Sequence, residues 1–215
     1  MEYEWSSMMK TTPPASVKEL NKRAITAYLY SKGPATKQML ERELNLSLPT
    51  ITQNLRTLEV EGLIRKGEQL ESTGGRKAQT FAFVCRAKIA IGVTMRANGL
   101  TLCAVDLGGN VISRKFKLLP YHNTDIYYQQ MGVIINAFAA GVERNDDNVL
   151  GVAFSIQGIV SADGQTITFG NIMGNTGLRL DVIAQNVKFP CIMIHDSDAA
   201  AMAELWFDHS LTDAV

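Results

Sequence analysis

Apolar residues recur at helical spacing in three consecutive segments near the start of the chain. Residues 47–58 are the clearest case, because Ile51, Leu55 and Leu58 recur at i, i+4 and i+7 and form one stripe on a helix. Ser47 is a good N-cap residue, and Pro49 fits the first helical turn, where a missing N–H has no cost. The pattern predicts an amphipathic helix that begins just after Ser47.

Two further helices are predicted before this one, the first from Ser16 to about Lys32 and the second from Thr36. The expected inner positions are Leu20, Ala24, Ile25, Ala27, Tyr28 and Leu29 in the first helix, and Met39, Leu40 and Leu44 in the second. A turn of about three residues joins the second helix to the third. This spacing is typical of a helix-turn-helix.

The outer face of the third helix is polar and carries Thr50, Thr52, Gln53 and Arg56. Short polar groups and a guanidinium are the side chains that contact base edges and phosphates in a major groove. An ordinary surface helix also has a polar face, so this helix alone leaves both interpretations open.

A predicted hairpin follows the third helix and favours DNA binding. Strand-like segments at residues 63–66 and 80–84 flank a Gly-rich turn that contains Arg76 and Lys77. After three helices of this spacing, the hairpin is interpreted as the wing of a winged helix-turn-helix, whose cations bind phosphate. We therefore predict a flexible lead-in at 1–15 and a DNA-binding domain at 16–85. The predicted DNA contacts are Thr36, Ser47, Thr50, Thr52, Gln53, Arg56, Arg76 and Lys77.

The second part of the chain, residues 86–215, is predicted to be α/β. Five strands are expected at residues 89–93, 100–105, 111–118, 149–156 and 192–194, and helices at residues 125–143, 180–186 and 198–207. Ile126, Met131, Ile134, Ile135 and Phe138 are the expected inner positions of the first of these helices. Residues 106–110 (DLGGN) are interpreted as a hairpin turn rather than a phosphate loop, because strands follow them instead of a helix.

Composition and charge are those of an ordinary globular protein, with 46% hydrophobic and 20% charged residues. The net charge of zero combines +3 through Cys85 (12 Lys and Arg against 9 Asp and Glu) with −3 from Arg86 onward (9 against 12). A basic first part suits a nucleic-acid-binding domain. The chain has neither a signal-peptide pattern nor an apolar run of about 20 residues, so a cytoplasmic protein is expected. The three separate cysteines, Cys85, Cys103 and Cys191, lie in apolar runs and are expected to be buried free thiols.

Three stretches of the second part resemble motifs of the ROK family, which comprises sugar-responsive repressors and sugar kinases. They are residues 151–160 (GVAFSIQGIV), 171–180 (NIMGNTGLRL) and 195–204 (HDSDAAAMAE). The resemblance implies an actin-like, ribonuclease-H-like fold with a sugar held between two lobes. It also implies that residues 86–215 are the N-terminal part of a ROK domain, incomplete because the C-terminal part is missing. The family's zinc motif would lie beyond Val215, so no cofactor is expected in this chain.

The resemblance also implies sugar contacts at Gly158, Asn171, His195 and Asp196. Asp196 matches a family aspartate that contacts the sugar and acts as a base in the kinases, although a helix-capping role would also explain a carboxylate there. His195 stands where the family usually has Asn. Gln157 and Asn175 replace the usual Pro and Trp, so a modified sugar pocket is expected.

A regulator rather than an enzyme is expected, because the Asp-x-Gly-Gly-Thr motif that holds ATP in the family's kinases is replaced by residues 94–98 (TMRAN). We predict a sugar-responsive transcriptional repressor. It would bind operator DNA as a homodimer or larger homo-oligomer, respond to a sugar or sugar-phosphate effector, and have no membrane partner. Two alternatives remain: a ROK sugar kinase fused to a DNA-binding domain, and a DNA-binding or dimerising protein that binds no ligand.

Overall fold

The computed structural model describes residues 16–70, 77–142 and 148–207. The chain divides into two compact units, one formed by Lys10–Lys88 and the other containing Ile89–Val215.

The first unit consists of three helices and a three-stranded antiparallel sheet. Its elements are α1 (Val17–Lys32), β1 (Ala35–Thr36), α2 (Lys37–Leu44), α3 (Leu48–Val60), β2 (Ile64–Leu70) and β3 (Ala78–Phe83), followed by a 3-10 turn at Cys85–Ala87. The strand order is β1-β3-β2. The three helices and the two longer strands were predicted; β1 was not.

Side-chain caps define the start of each helix in this unit. Ser16, Thr36 and Ser47 each accept a hydrogen bond from the backbone N–H three residues later, which satisfies a donor that has no partner within the helix. Asn45 adopts a left-handed conformation (φ 52°) after α2, and the chain then enters α3. Asparagine tolerates this conformation better than most residues, so a short turn can connect the two helices.

The core of the first unit joins all three helices to the sheet. Its buried residues are Ile25, Leu29, Ala35, Leu40, Ile51, Leu55, Leu58, Ile64 and Phe81. The predicted stripe of α3 is confirmed. In α1 the prediction holds for Ile25 and Leu29 but is wrong for Leu20 and Ala27, which are exposed. Leu20 precedes the turns that contact the core cluster, and Ala27 lies on the opposite side of the helix from Ile25 and Leu29.

The second unit is built on a five-stranded mixed sheet of order β10-β7-β4-β5-β6. Its elements are β4 (Ile89–Arg96), β5 (Gly99–Asp106), β6 (Val111–Leu118), α4 (Asp125–Ala140), β7 (Val149–Ile156), β8 (Ile159–Val160), β9 (Ile167–Phe169), α5 (Leu180–Ile183), β10 (Cys191–His195) and α6 (Asp196–Phe207). β4, β5 and β6 pair in antiparallel fashion, whereas β4, β7 and β10 are parallel neighbours. β8 and β9, which were not predicted, form a separate two-stranded sheet.

Alternation along the strands places one sheet face in the core. Ile89, Ile91, Val93 and Met95 of β4 are buried, and they belong to the same cluster as the inner side chains of α4. Within α4 the prediction was wrong for Ile126, which is 67% exposed. The buried arc includes Tyr127 and Tyr128 instead.

Three helix limits of the second unit differ from those predicted. α5 ends at Ile183 rather than at residue 186. α4 ends at Ala140 rather than at residue 143, and a turn follows at residues 141–142. α6 begins at Asp196, two residues earlier than predicted, because the chain passes directly from β10 into the helix.

The turn between β5 and β6 is the predicted hairpin. The carboxylate of Asp106 accepts hydrogen bonds from the backbone N–H groups of Gly108 and Asn110, both at 2.9 Å. β5 and β6 then pair in antiparallel fashion. The Gly-rich residues 106–110 therefore form the turn of a β-hairpin.

The cysteines are free, as predicted. They are half-buried rather than buried, and Cys85 lies in the 3-10 turn rather than in a strand. Across the described ranges, none of the helices is long and apolar enough to cross a membrane. Those same ranges contain no group of three or more His, Cys, Asp or Glu side chains suited to holding a metal ion.

Candidate DNA-binding and effector sites

The outer face of α3 carries three exposed polar side chains, Thr52, Gln53 and Arg56. Their i, i+1 and i+4 spacing places them on one side of the helix. Thr50 is half-buried, and its hydroxyl lies 2.9 Å from that of Ser47 at the start of the helix. The result is a polar ridge whose amide, hydroxyl and guanidinium groups point away from the core.

Arg56 has no hydrogen-bond or ion-pair partner among the described residues. By contrast, Lys66 pairs with Glu59 at 3.6 Å, and Lys22 pairs with Glu61 at 2.7 Å. An unpaired exposed guanidinium retains its donors for an external acceptor.

The inner face of α3 is fixed by more than the predicted apolar stripe. Asn54 is only 3% exposed, and its amide donates to the carbonyl of Thr50 at 2.8 Å. Its carbonyl oxygen has no partner among the described residues. Sequence reasoning missed this buried polar residue, although its position three residues after Ile51 puts it on the buried side of the helix.

The other predicted DNA contacts have different surroundings. Thr36 is only 7% exposed, and its hydroxyl caps α2 by accepting from the N–H of Met39 at 3.2 Å. This burial leaves little of the side chain for a phosphate contact. Lys77 is exposed just before β3, whereas Arg76 lies outside the described residues.

The predicted effector residues gather at one edge of the large sheet. Because β10 and β7 are parallel, with His195 opposite Ile156, their carboxyl ends meet. β4 ends at the same edge, since Thr94 pairs with Ser155 of β7. Gly158 follows this end of β7. The carboxyl ends of parallel strands are the common position for ligand sites in α/β proteins.

His195 and Asp196 lie at the junction of β10 and α6. The Nε2 atom of His195 is 3.5 Å from the Oδ1 atom of Asp196, and the two side chains are 31% and 38% exposed. The Asp196 carboxylate is in the first turn of a 12-residue helix, where the helix dipole favours negative charge. A donor–acceptor pair accessible to solvent at a strand end can bind hydroxyl groups.

Close backbone packing brings Asn171 toward the same edge. A Cβ atom at Gly158 would lie 2.6 Å from the Phe169 carbonyl oxygen and 3.2 Å from the Gly170 Cα atom. Asn171 is the next residue along the chain and is exposed. The loop that carries it is therefore held against the segment after β7.

Asn175 was predicted only as a departure from the family pattern, but it supports this loop. It is 1% exposed, its N–H donates to the carbonyl of Gly170 at 3.0 Å, and its side chain fills the space that a side chain at position 170 would need. The Gly170 N–H donates in turn to the hydroxyl of Thr176 at 2.9 Å. The sequence signal for this packing was the glycine immediately before Asn171.

Two concavities of the second unit lie away from this edge. A groove of about 500 Å³ separates β6 from α4. A smaller one, of about 230 Å³, is lined by residues that include Leu150, Pro190 and Ile192. The predicted sugar residues line neither of these two concavities.

Comparison with known protein families assigns the chain to one of them. The model of the ROK family matches residues 90–214, which is more than half of the chain. The chain belongs to the ROK family.

The curated relatives of this chain include regulators. The DNA-binding transcriptional dual regulator NagC of Escherichia coli strain K12 is 26% identical over 195 residues, which cover 90% of this chain and 48% of NagC. The xylose repressor of Bacillus subtilis strain 168 is 18% identical over 191 residues, which cover 89% of this chain and 50% of that repressor. The chain thus spans about half the length of the curated relatives it matches.

A solved ROK structure has a similar fold. It is the crystal structure of a ROK family transcriptional regulator, a homologue of the Escherichia coli MLC protein, with a TM-score of 0.67 and 21% sequence identity. The match covers 90% of this chain and 50% of that one. The ROK match contains Gly158, Asn171, His195 and Asp196, whereas α1, α2 and α3 precede it.

Proposed function

We propose that this ROK-family chain is a sugar-responsive transcriptional repressor. In this proposal residues 16–85 are a winged helix-turn-helix that binds operator DNA, and residues 86–215 are the N-terminal part of the effector domain. The arrangement of α1, α2 and α3 before the β2–β3 hairpin supports the first assignment. The similarity to NagC and the xylose repressor supports the second.

The observation that carries the proposal is the exposed polar ridge of α3 with the unpaired Arg56. The buried stripe fixes the rotation of the helix, so the ridge faces away from the core of its unit. Arginine bonds with two donors to guanine, and glutamine bonds similarly to adenine. The proposed contacts are Ser47, Thr50, Thr52, Gln53 and Arg56, together with Arg76 and Lys77 of the wing. We give Thr36 a capping role instead.

The proposed effector is a sugar or sugar phosphate that binds at the carboxyl edge of the sheet. Asp196 would accept hydrogen bonds from sugar hydroxyls, and His195 and Asn171 can each donate or accept. Gly158 would allow the backbone close to the ligand. Regulation requires that the effector bind the DNA-free state more tightly than the DNA-bound state. A homodimer on a paired operator site completes the proposal.

The β4–β5 hairpin supports a regulator over a kinase. Arg96 pairs with Gly99 across a two-residue turn, and the carbonyl of Ala97 in that turn accepts from the N–H of Tyr121 at 2.9 Å. Met95 is fully buried. Residues 94–98 contain no glycine, so a backbone cradle for ATP phosphate is hard to form there.

Binding to selected DNA tests the DNA-binding proposal. Duplexes selected from a random library by the full chain would be titrated with Arg56→Ala and, as a matched control, with Arg23→Ala on α1. If Arg56 contacts a guanine, we expect its removal to cost about 1–3 kcal/mol on selected DNA and less on scrambled DNA. Equal losses on both DNAs would reduce Arg56 to a phosphate contact. Failure to select any sequence would overturn the proposal.

Calorimetry tests the effector proposal. The full chain would be titrated with a panel of hexoses, pentoses, N-acetylhexosamines and their phosphates. A ligand that binds should lose affinity in Asp196→Asn but keep it in Asp198→Asn, a carboxylate in the same first turn of α6. Sugar-dependent ATP consumption by the wild type would instead establish the kinase alternative. Absence of heat with every sugar, together with intact DNA binding, would favour the ligand-independent alternative.

A further inference from the structure

Arg96 is the last residue of β4 and lies at the edge of the sheet that carries the proposed effector residues. Thr94 of β4 and Ile194 of β10 both pair with Ser155 of β7, one on each side of it. Neighbouring strands are about 4.8 Å apart, so β4 and β10 lie about 10 Å from each other. Arg96 and Asp196 are each two residues beyond this row. They therefore leave the sheet at the same level, separated by the width of β7.

The side chain of Arg96 belongs to the face of the sheet opposite α4. Successive side chains of a strand alternate between the two faces. Met95 is buried in the cluster beneath α4, whereas Arg96 is exposed. The helix α6 contacts β7 and β10, and none of its described side chains belongs to that cluster. α6, which begins at Asp196, therefore lies on the same face as Arg96.

The backbone that carries Arg96 is held in place on both sides of the β4–β5 turn. Arg96 pairs with Gly99, and the carbonyl of Ala97 accepts from the N–H of Tyr121 at 2.9 Å. A Cβ atom at Gly99 would overlap the carbonyl oxygen of Lys117, so β6 packs closely against this end of β5. A ligand that contacts Arg96 therefore has to order its side chain rather than its backbone.

The two ends of this edge differ in charge. Asp196 and Asp198 make the first turn of α6 acidic, and the Nε2 atom of His195 lies 3.5 Å from the Oδ1 atom of Asp196. Sugar hydroxyls can donate to these carboxylates, whereas a phosphate placed there would meet like charge. Arg96, at the other end, has a planar guanidinium that can bind a phosphate through two N–H donors. A ligand with one anionic end and one hydroxyl-bearing end matches this polarity.

A hexose 6-phosphate is such a ligand, because its phosphate ester lies on the exocyclic carbon and its ring hydroxyls extend to the opposite side of the ring. We propose, on the basis of the effector function proposed above, that the ligand of this edge is a hexose 6-phosphate. Its phosphate binds Arg96, and its hydroxyls bind Asp196 and Asn171. Arg96 then determines the specificity for the phosphorylated over the free sugar.

Calorimetry on the full chain tests the preference for the phosphate. Glucose, mannose, galactose and N-acetylglucosamine would each be titrated beside its 6-phosphate. At least one 6-phosphate should bind roughly 10- to 100-fold more tightly than its parent sugar, as expected for a charge-assisted contact. Parent sugars that bind as tightly as their phosphates would overturn the role of Arg96 and leave the proposed effector function standing. Absence of heat with every sugar and every phosphate would overturn both.

Substitution of Arg96 tests the contact itself. Arg96→Ala should lose the preference, so that a 6-phosphate and its parent sugar bind with similar affinity. Arg96→Lys should keep part of the preference, because it retains the charge but not the planar pair of donors. Arg114→Ala is the matched control and should keep it fully, since Arg114 is an exposed arginine of β6 on the same face of the sheet. Equal losses for both ligands in Arg96→Ala would give Arg96 a structural role and overturn the proposal.

Competition with inorganic phosphate locates the anionic end of the ligand. In excess, inorganic phosphate should weaken the binding of the 6-phosphate by the wild type, and this competition should disappear in Arg96→Ala. Asp196→Asn should weaken the binding of both the 6-phosphate and the parent sugar, because Asp196 contacts hydroxyls that the two share. Competition that persists in Arg96→Ala would place the phosphate elsewhere. A loss confined to the 6-phosphate in Asp196→Asn would overturn the assignment of the two ends.

Discussion

Replacing Gly158 by alanine should disturb the proposed effector edge at a definable point. The new Cβ atom would lie 2.6 Å from the Phe169 carbonyl oxygen and 3.3 Å from the Ile167 side chain. Backbone atoms, rather than the end of a flexible side chain, form the closest contact. Reaching an ordinary contact of 3.4 Å requires a displacement of about 0.8 Å in the segment that leads to Asn171.

The size of the effect follows from this overpacking. Added carbon atoms in a packed site typically cost about 1–3 kcal/mol. With a urea m-value of about 2 kcal/mol/M, the midpoint for the second unit should fall by roughly 0.5–1.5 M. Because the displaced backbone precedes Asn171, affinity for the proposed effector should fall as well, even though alanine removes no hydrogen-bonding group.

Urea denaturation, followed by circular dichroism and amide hydrogen exchange on β7 and β10, would measure the change. Gly92→Ala is the matched control, because a Cβ atom there would be 3.9 Å from its nearest neighbour, the Cys103 carbonyl oxygen. That substitution should change stability by less than about 0.5 kcal/mol. If Gly158→Ala were as stable as Gly92→Ala, the close packing of the β8–β9 segment against Gly158 would be wrong.

Three further substitutions test other contacts. Leu55→Ala, at a fully buried position of α3, should destabilise the first unit by about 2–5 kcal/mol and lower its Tm in calorimetry. Tyr128→Phe removes a hydroxyl that lies 3.0 Å from that of Tyr121 and donates to Asn123 at 2.9 Å; urea denaturation should show a loss of about 1–2 kcal/mol. Burial raises the pKa of the Cys191 thiol from 9.0 to about 11, so with the other cysteines replaced by serine its reaction with a thiol reagent at pH 9 should be slow until the protein unfolds. The thiol of the unfolded chain ionises at a lower pH than the buried thiol. The free energy of unfolding should therefore decrease between pH 9 and 11, and it should decrease less in Cys191→Ser.

Local signals in the sequence were enough for most elements. The cap at Ser47 and the stripe from Ile51 to Leu58 define α3 through interactions within a few residues of one another. The turn at Asp106 is likewise local, because its carboxylate bonds to backbone groups two and four residues later. Such features depend little on the rest of the fold, so reading the chain alone recovers them.

Other features depend on contacts that are distant in sequence. Ile126 was predicted to face the core. Because α4 is apolar on most faces, periodicity cannot show which side of such a helix is buried. β8 and β9 are too short for an alternation to be recognised. The candidate effector edge requires the parallel pairing of His195 with Ile156, and the spacing of these residues along the chain gives no sign of it. Those residues were predicted from the resemblance to family motifs.

The two units have separate apolar clusters, one centred on residues such as Leu55 and the other on residues such as Phe154. A substitution that loosens one cluster removes no contact from the other. Each half of the molecule can therefore accumulate changes at its own pace during evolution. Under the proposed function, DNA recognition and effector specificity would lie in separate units, so either could change without repacking the core of the other.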